Sequence, residues 1–300
     1  MSAPLHAAPS DHRHVGADQH AVPRHAPEAR APAHALPGTR SGGPQHAASR
    51  GRSAPLATVS RILAQLHADP RTIALVMVLP LVFISLLYFV MIDLPTPPGQ
   101  DPPFDQIGPT MLAVLPMMLM FLVTSIAMLR ERTTGTLERL LTTPLSRWNL
   151  LASYGLVFGL LGVAQASLLA TFVLGVYGVD IEGPIWALLL VALLDALVGV
   201  SFGLLASAFA RTEFQAVQFM PLFIGPQLFL SGLFAPVDQM PDVLAAVARV
   251  LPMTWAAEAV LDITANAEVS TESWVGIGLL AALVVGMLVL ASASMPRQTR

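Results

Sequence analysis

LRERTTGTLERLLTTPLSRWNLLASY, residues Leu129–Tyr154, is a patch of charge set between two long apolar runs. A segment so rich in ionisable side chains belongs in water, while the apolar stretches on either side belong in hydrocarbon. Four arginines fall within it, Arg130, Arg132, Arg139 and Arg147. Because loops on the cytoplasmic side of a membrane carry the excess of basic residues, the patch is expected to be cytoplasmic. The fold class that follows is all-α and membrane-integral, with the rest of the chain oriented from this loop.

Composition points the same way. Hydrophobic residues make up 54% of the chain and charged residues only 12%, about half the share usual in soluble domains. All 16 basic residues are arginine, so no GxxxxGK[ST] phosphate loop can exist here. ATP, if used, must be bound and hydrolysed by another polypeptide. The absence of cysteine excludes disulfides, thiolate metal sites, thiol catalysis and palmitoylation.

Working outward, six apolar segments lie at roughly 72–92, 109–129, 150–175, 184–209, 215–234 and 274–295. Each is near the length of about 20 residues needed to cross the hydrocarbon core. Pro80, Pro116, Pro221 and Pro226 fall inside them and predict kinks rather than ends. Loop charge then tests the count. The chain up to Arg71 carries eight arginines, whereas the loop at 93–108 has Asp93, Asp101 and Asp105 and no arginine. After the basic Leu129–Tyr154 loop, 178–183 holds only Asp180 and Glu182; Arg211 follows the fourth segment, and Arg297 and Arg300 follow the sixth. Every second loop is basic, which predicts six spans with both termini cytoplasmic; Arg249 is the exception.

Residues 1–54 are rich in Ala, Pro, His, Arg, Ser and Gly and read as a disordered cytoplasmic tail, with too little apolar surface to offset ordering entropy. Seven of the eight histidines lie there, at His6, His12, His14, His20, His25, His34 and His46. Their irregular spacing leaves open a metal-binding tract or a merely solvated tail. No signal peptide is expected, since the first apolar run starts some seventy residues in. Over 56–68, Leu56, Val59, Ile62, Leu63 and Leu66 share one helical face, which predicts a helix lying in the membrane interface. Asp69–Thr72 then makes the break before the first span. The outer loop, 235–273, is interrupted by Pro236, Pro241 and Pro252 into runs too short to span, which suit re-entrant or interfacial helices.

Read as a helix over 130–142, the basic loop has an apolar stripe of Leu137, Leu140 and Leu141 and a second stripe of Glu131, Gly135 and Glu138. Glycine between carboxylates lets another chain come close. The pattern fits a docking face, or equally an amphipathic helix on the lipid surface. Pro144 ends that helix and Ser146 is the expected N-cap of the next.

The run ERTTGTLERLLTTPLSR resembles the cytoplasmic segment of ABC-2 type membrane subunits, the permease half of ABC exporters, and DPRT, the TEFQA turn and the outer loop are similar to those of the daunorubicin-resistance type. The resemblance falls on Glu131, Gly135, Thr136, Glu138, Leu140, Leu141, Thr143 and Pro144. DPRT after an elbow helix and SGLFAPVDQMP in the outer loop are similar to the same family. The resemblance implies that Glu131–Pro144 couples to a separate ABC ATP-binding subunit, with Glu213 in the RTEFQA turn as a second contact. It implies that Ser231, Gly232, Pro236, Met240, Pro241 and Pro252 help close an outer gate, and that two permeases, identical or siblings, form the pathway. ATP and Mg would then sit on the partner, with no cofactor and no catalysis on this chain, in a plasma or inner membrane. The implied cargo is a drug, an antibiotic or a lipid-like molecule.

Inside the spans, Asp195 carries an insertion penalty of roughly 2.5–3.5 kcal/mol. It is either a substrate or proton contact, or a protonated or paired carboxyl that fixes packing. Gln165, Gln218 and Gln227 pose the same choice, interhelical hydrogen bonding being their usual role. An intramembrane protease is excluded by the placement of every histidine before residue 68. An ion-coupled secondary transporter using Asp195 is the alternative function; it would call for inverted repeats, broken helices at matching positions and ionisable coupling sites, and the sequence shows no convincing internal repeat. No nucleic-acid partner is expected.

Overall fold

The computed structural model describes residues 54–96, 98–99, 101–135 and 147–294. Among them every regular element is helical. The order is α1 (Ala54–His67), α2 (Pro70–Met91), α3 (Pro103–Thr133), α4 (Arg147–Ala170, continued by a π-helical turn, Thr171–Val176), α5 (Ile185–Phe209), α6 (Glu213–Leu230), a 3₁₀ turn (Val237–Gln239), α7 (Asp242–Ala248), α8 (Pro252–Ala265) and α9 (Thr271–Ser294).

Five of these helices are long and apolar enough to cross a membrane: Pro70–Met91, Pro103–Thr133, Trp148–Val176, Ile185–Phe209 and Thr271–Ala293. The bent pair α7 and α8, meeting at 84°, raises the number to six if the pair is one span. The chain is thus a multi-pass, all-helical membrane protein. The expected fifth span, 215–234, forms a helix of 18 residues, about 27 Å at 1.5 Å per residue. It falls outside the five because Gln215, Gln218, Gln227, Pro221 and Pro226 dilute its apolar character. It also stops four residues short of the predicted end. Ser231 caps it and Gly232 turns the chain at φ +90, a left-handed conformation that glycine adopts without strain.

The other boundaries follow local chemistry. Asp69 is the N-cap of α2: its carboxylate accepts from the Thr72 amide at 3.2 Å and the Thr72 hydroxyl at 2.7 Å, with Pro70 in the first turn. The DPRT break is therefore a cap. Helix α3 is longer at both ends than the predicted 109–129 and passes through Pro109 and Pro116. Helix α1 forms over 54–67, within two residues of the predicted 56–68, but its apolar face is shared. Ile62 is buried and Val59 and Leu66 pack beside it, while Leu56 and Leu63 are exposed.

The long helices alternate in direction. At one end, here the Arg130 end, the C-termini of α3 and α5 meet the N-terminus of α6, and α1 lies alongside. At the opposite end, Trp186 of α5 faces Trp274 of α9 at 6.1 Å, and Tyr88 of α2 stacks on Tyr177 at 4.2 Å and meets Phe104 of α3 edge-on. The core is the parallel pair α3 and α5. Gly199 and Gly203 lie against the main chain of α3: a Cβ at Gly199 would sit 2.2 Å from the Met117 carbonyl oxygen, and one at Gly203 2.6 Å from that of Phe121. This G-x-x-x-G spacing lets two membrane helices approach backbone to backbone, where dispersion and weak Cα–H···O contacts replace the hydrophobic drive that lipid abolishes. Helix α2, by contrast, leaves Leu79, Phe83, Leu86, Phe89 and Val90 exposed along its outer side, as a lipid-facing helix does.

Candidate functional site

Successive residues of a helix point about 100° apart, and the last turn of α3 uses this to grip three neighbours. Arg130 makes a bidentate pair with Glu213 of α6, Nε to Oε1 at 2.7 Å and Nη2 to Oε2 at 3.2 Å. Glu131 turns inward and accepts from Arg61 Nη2 of α1 at 2.9 Å. Arg132 donates to the Ser207 carbonyl in the last turn of α5, where an unpaired carbonyl and the negative end of the helix dipole favour a cation. The Arg130–Glu213 pair is exposed on both sides and is worth at most about 1 kcal/mol; the Arg130 guanidinium holds the Glu213 carboxyl below its ordinary range. The Arg61–Glu131 pair, with side chains 28% and 9% exposed, is more protected and so more consequential.

This geometry corrects the expected helix over 130–142. Helix α3 ends at Thr133, Thr134 caps it by donating its N–H to the Arg130 carbonyl, and Gly135 takes φ +70. Left-handed glycine just past a helix is a common stop. Glu131 therefore does not continue in one helical stripe through Gly135, and it is buried against α1 rather than presented outward. Thr136, Glu138, Leu140, Leu141, Thr143, Pro144 and the expected cap Ser146 lie outside the described residues, as does the tail before Ala54.

Glu213 is exposed at the same end, in the first turn of α6. Thr212 caps that turn by accepting from the Gln215 amide at 3.2 Å, and Gln215 reaches back to accept from the Arg211 amide at 2.9 Å, a reciprocal arrangement of the capping-box kind. RTEFQA is thus a helix start as well as a candidate contact.

The four polar residues of the bundle separate. Gln218 is exposed. Gln227 is buried and joins α6 to α8: its amide donates to the Phe223 carbonyl at 2.8 Å, and its oxygen accepts from the Met253 N–H at 3.4 Å, one of the α8 amides that the helix itself cannot satisfy. Asp195 and Gln165 are fully buried, on α5 and α4, and neither carboxylate oxygen of Asp195 nor either amide atom of Gln165 has a hydrogen-bond partner among the described residues.

At the opposite end, Ser231 is buried and accepts from the Leu233 amide at 3.4 Å; Gly232 makes the turn; Pro236 and Pro241 start the 3₁₀ turn and α7; Pro252 starts α8 and is buried. Arg249, the exception to the loop charge pattern, pairs with Asp238 at 3.2 Å, and its carbonyl accepts from Trp255 Nε1 at 2.7 Å. Asp262 was not singled out by the sequence reading. It accepts from Ser273 Oγ at 2.6 Å, the Ser270 amide at 3.2 Å and Asn266 Nδ2 at 2.9 Å, locking the end of α8 to the start of α9. Two serines spaced as a helix start, Ser270 and Ser273, eight and eleven residues after the aspartate, were the available signal.

A family model described as ABC-2 type transporter matches residues 56–264. The chain is similar to the probable multidrug ABC transporter permease YbhR of Escherichia coli (strain K12), 29% identical over 133 residues, 44% of this chain and 36% of that protein. It is similar also to the linearmycin resistance permease protein LnrN of Bacillus subtilis (strain 168), 31% identical over 154 residues, 51% of this chain and 40% of that protein. ABC transporter G family member 20 of Dictyostelium discoideum is 29% identical over 161 residues, 53% of this chain and 22% of that protein. The chain thus spans less than half the length of each of these relatives.

Proposed function

This chain belongs to the ABC-2 type transporter family, and from that premise we propose that it is the transmembrane permease subunit of an ATP-driven exporter. A separate ATP-binding subunit holds ATP and Mg; this chain is non-catalytic. Its cargo is a drug, an antibiotic or a lipid-like molecule, a reading supported by relatives named for multidrug transport and linearmycin resistance. Helix α6 counts as a span in this reading, giving six, with both termini and the Arg130 end in the cytoplasm of a plasma or inner membrane. Helices α7 and α8 are re-entrant and close the outer mouth.

The observation that carries the proposal is the ion-paired end of α3. Arg130, Glu131 and Arg132 lock α6, α1 and α5 to one another immediately before the loop that resembles the coupling segment. A push on that loop is then delivered to four helices as a unit. Glu138, Leu140, Leu141 and Pro144 form the contact with the ATPase, Glu213 extends it, and Glu131 acts behind it by anchoring α1. Two permease copies form the pathway, and nucleotide drives export only by changing the relative stability of their inward and outward arrangements. Replacing Glu138→Arg is expected to abolish co-purification with the ATP-binding subunit while membrane insertion stays normal. Unchanged co-purification and export would remove the docking role, and full-rate transport by the permease alone on an ion gradient would overturn ATP coupling.

A further inference from the structure

Of the five long apolar helices, α2 is the least enclosed; only Val76, Pro80 and Ile84 are buried along it. Its two halves are held differently. The outer half is clamped: Tyr177 donates to Ser85 Oγ at 2.5 Å, and Tyr88 stacks on Tyr177 and meets Phe104 edge-on. The inner half, as far as Val76, borders a groove of about 390 Å³ shared with α1, the last turns of α3 and the start of α4. Leu122 of α3 and Phe158 of α4 stand among its other walls. Segment 70–79 therefore lies between two breaks. Asp69 caps its start, and at its end Pro80 has no N–H to give the Val76 carbonyl, the usual cause of a bend inside a helix.

Helix α4 carries a group that answers this. Tyr154 and Phe158 line the groove, and Gln165 follows them on the same helical face, the three being spaced i, i+4 and i+11. Helices α2 and α4 run in the same direction, with the groove level with Val76 and Phe158 and the clamp level with Ser85 and Tyr177. Gln165, between Phe158 and Tyr177, thus lies alongside the stretch of α2 that holds Pro80. It is fully buried, and neither atom of its amide has a hydrogen-bond partner among the described residues, although buried polar groups ordinarily have one. A carbonyl that has lost its helical donor and an amide without an acceptor stand on neighbouring stretches of two helices.

We propose that segment 70–79 is a strap that bends at Pro80 into the groove, and that its shut position is held by the Gln165 amide donating to the Val76 carbonyl. The clamped outer half of α2 is the fixed post. Shutting brings the apolar side chains of the strap against Leu122 and Phe158; opening leaves the Gln165 amide unpaired. The two positions differ by one hydrogen bond and the packing of the groove, so a load at the Arg130 end, where the strap follows α1, can shift their populations. The strap gives the proposed exporter a moving part within one subunit, and it rests on the membrane reading of the fold and not on ATP coupling.

The test uses the lack of cysteine. Leu75→Cys and Leu122→Cys are introduced together, one on the strap and one on the α3 wall of the groove. The full chain in phosphatidylcholine nanodiscs is oxidised with copper phenanthroline, and the rate of disulfide formation is followed. A disulfide needs Cα atoms within about 7 Å, so bridging reports the shut strap. The pair is expected to bridge. Adding Pro80→Ala restores the N–H that the Val76 carbonyl lacks and is expected to slow bridging at least as much as losing the latch. Gln165→Met has the same length and no donor, and should slow it roughly fivefold, the effect of one net hydrogen bond. Gly286→Ala on α9, where a Cβ meets nothing within 4 Å, should leave the rate unchanged. A pair that never bridges, a rate that either Pro80→Ala or Gln165→Met leaves unchanged, or equal slowing by Gly286→Ala would each overturn the proposal. Because neither ATP nor the ATPase is present, those failures are distinct from a failure of the exporter reading.

Discussion

Gly199→Ala tests the idea that α3 and α5 form a rigid pair. The added Cβ would sit 2.2 Å from the Met117 carbonyl oxygen and 3.0 Å from two further Met117 backbone atoms, whereas ordinary contact begins at 3.4 Å. Those neighbours are main-chain atoms in the middle of a helix, so no change of rotamer relieves the clash. The two helices must instead separate by about 1 Å, losing dispersion along the seam where they are closest. Overpacking of this kind costs about 1–3 kcal/mol, offset by roughly 1 kcal/mol from replacing a helical glycine with alanine. The expected net loss is about 0–2 kcal/mol, toward the upper end because the clash is with main chain. Gly203→Ala meets the Phe121 carbonyl at 2.6 Å and acts on the same seam, so the double variant is expected to lose less than the sum of the two. Gly286→Ala on α9, where a Cβ meets nothing within 4 Å, is the control and should be neutral or slightly stabilised. Reversible unfolding of the purified protein in mixed detergent micelles reads all four. If Gly199→Ala unfolds at or beyond the wild-type midpoint, and together with Gly286→Ala, the close-approach argument is wrong.

Arg61→Ala leaves Glu131 buried without its cation. Breaking a buried pair costs about 3–5 kcal/mol, and the partial exposure of Arg61 brings the expected loss to about 2 kcal/mol, with Arg61→Glu/Glu131→Arg recovering part of it in the same unfolding assay. Arg130→Ala breaks a pair exposed on both sides and should change stability by less than about 1 kcal/mol, shrinking further as salt is raised; a loss above 2 kcal/mol would show that the pair is buried in the assembled protein. Asp195→Leu removes a buried carboxyl that has no hydrogen bond to lose among the described residues, so equal or greater stability is expected. A clear drop in its unfolding midpoint would reveal a partner for Asp195.

Much of the fold was legible because membrane insertion constrains sequence locally. A charge cannot rest in lipid, so runs without charge delimit the helices that cross it, and the alternation of arginine-rich and arginine-poor loops, Arg249 excepted, goes with the alternating helix directions. Four of the six expected segments coincide with long apolar helices to within a few residues, and 109–129 sits inside a longer one. The helix cap at Asp69 was likewise written in DPRT, since capping depends on residues only three apart.

What the sequence by itself determined is therefore the class, the helices and the family, all of which rest on composition, short-range spacing and one recurring motif. Only the tertiary structure decided which way each polar group turns. Glu131 looked like a docking residue, yet it faces α1, because its direction depends on Arg61, 70 positions away in the chain. The Gly199 and Gly203 contact was visible as a spacing, but its meaning waited on α3 arriving alongside. Asp262 and Gln227 became latches when α8 folded back on α9 and α6. Lipid selects for apolar length one segment at a time, whereas pairing, close packing and satisfaction of buried polar groups belong to contacts between segments that no local pattern encodes.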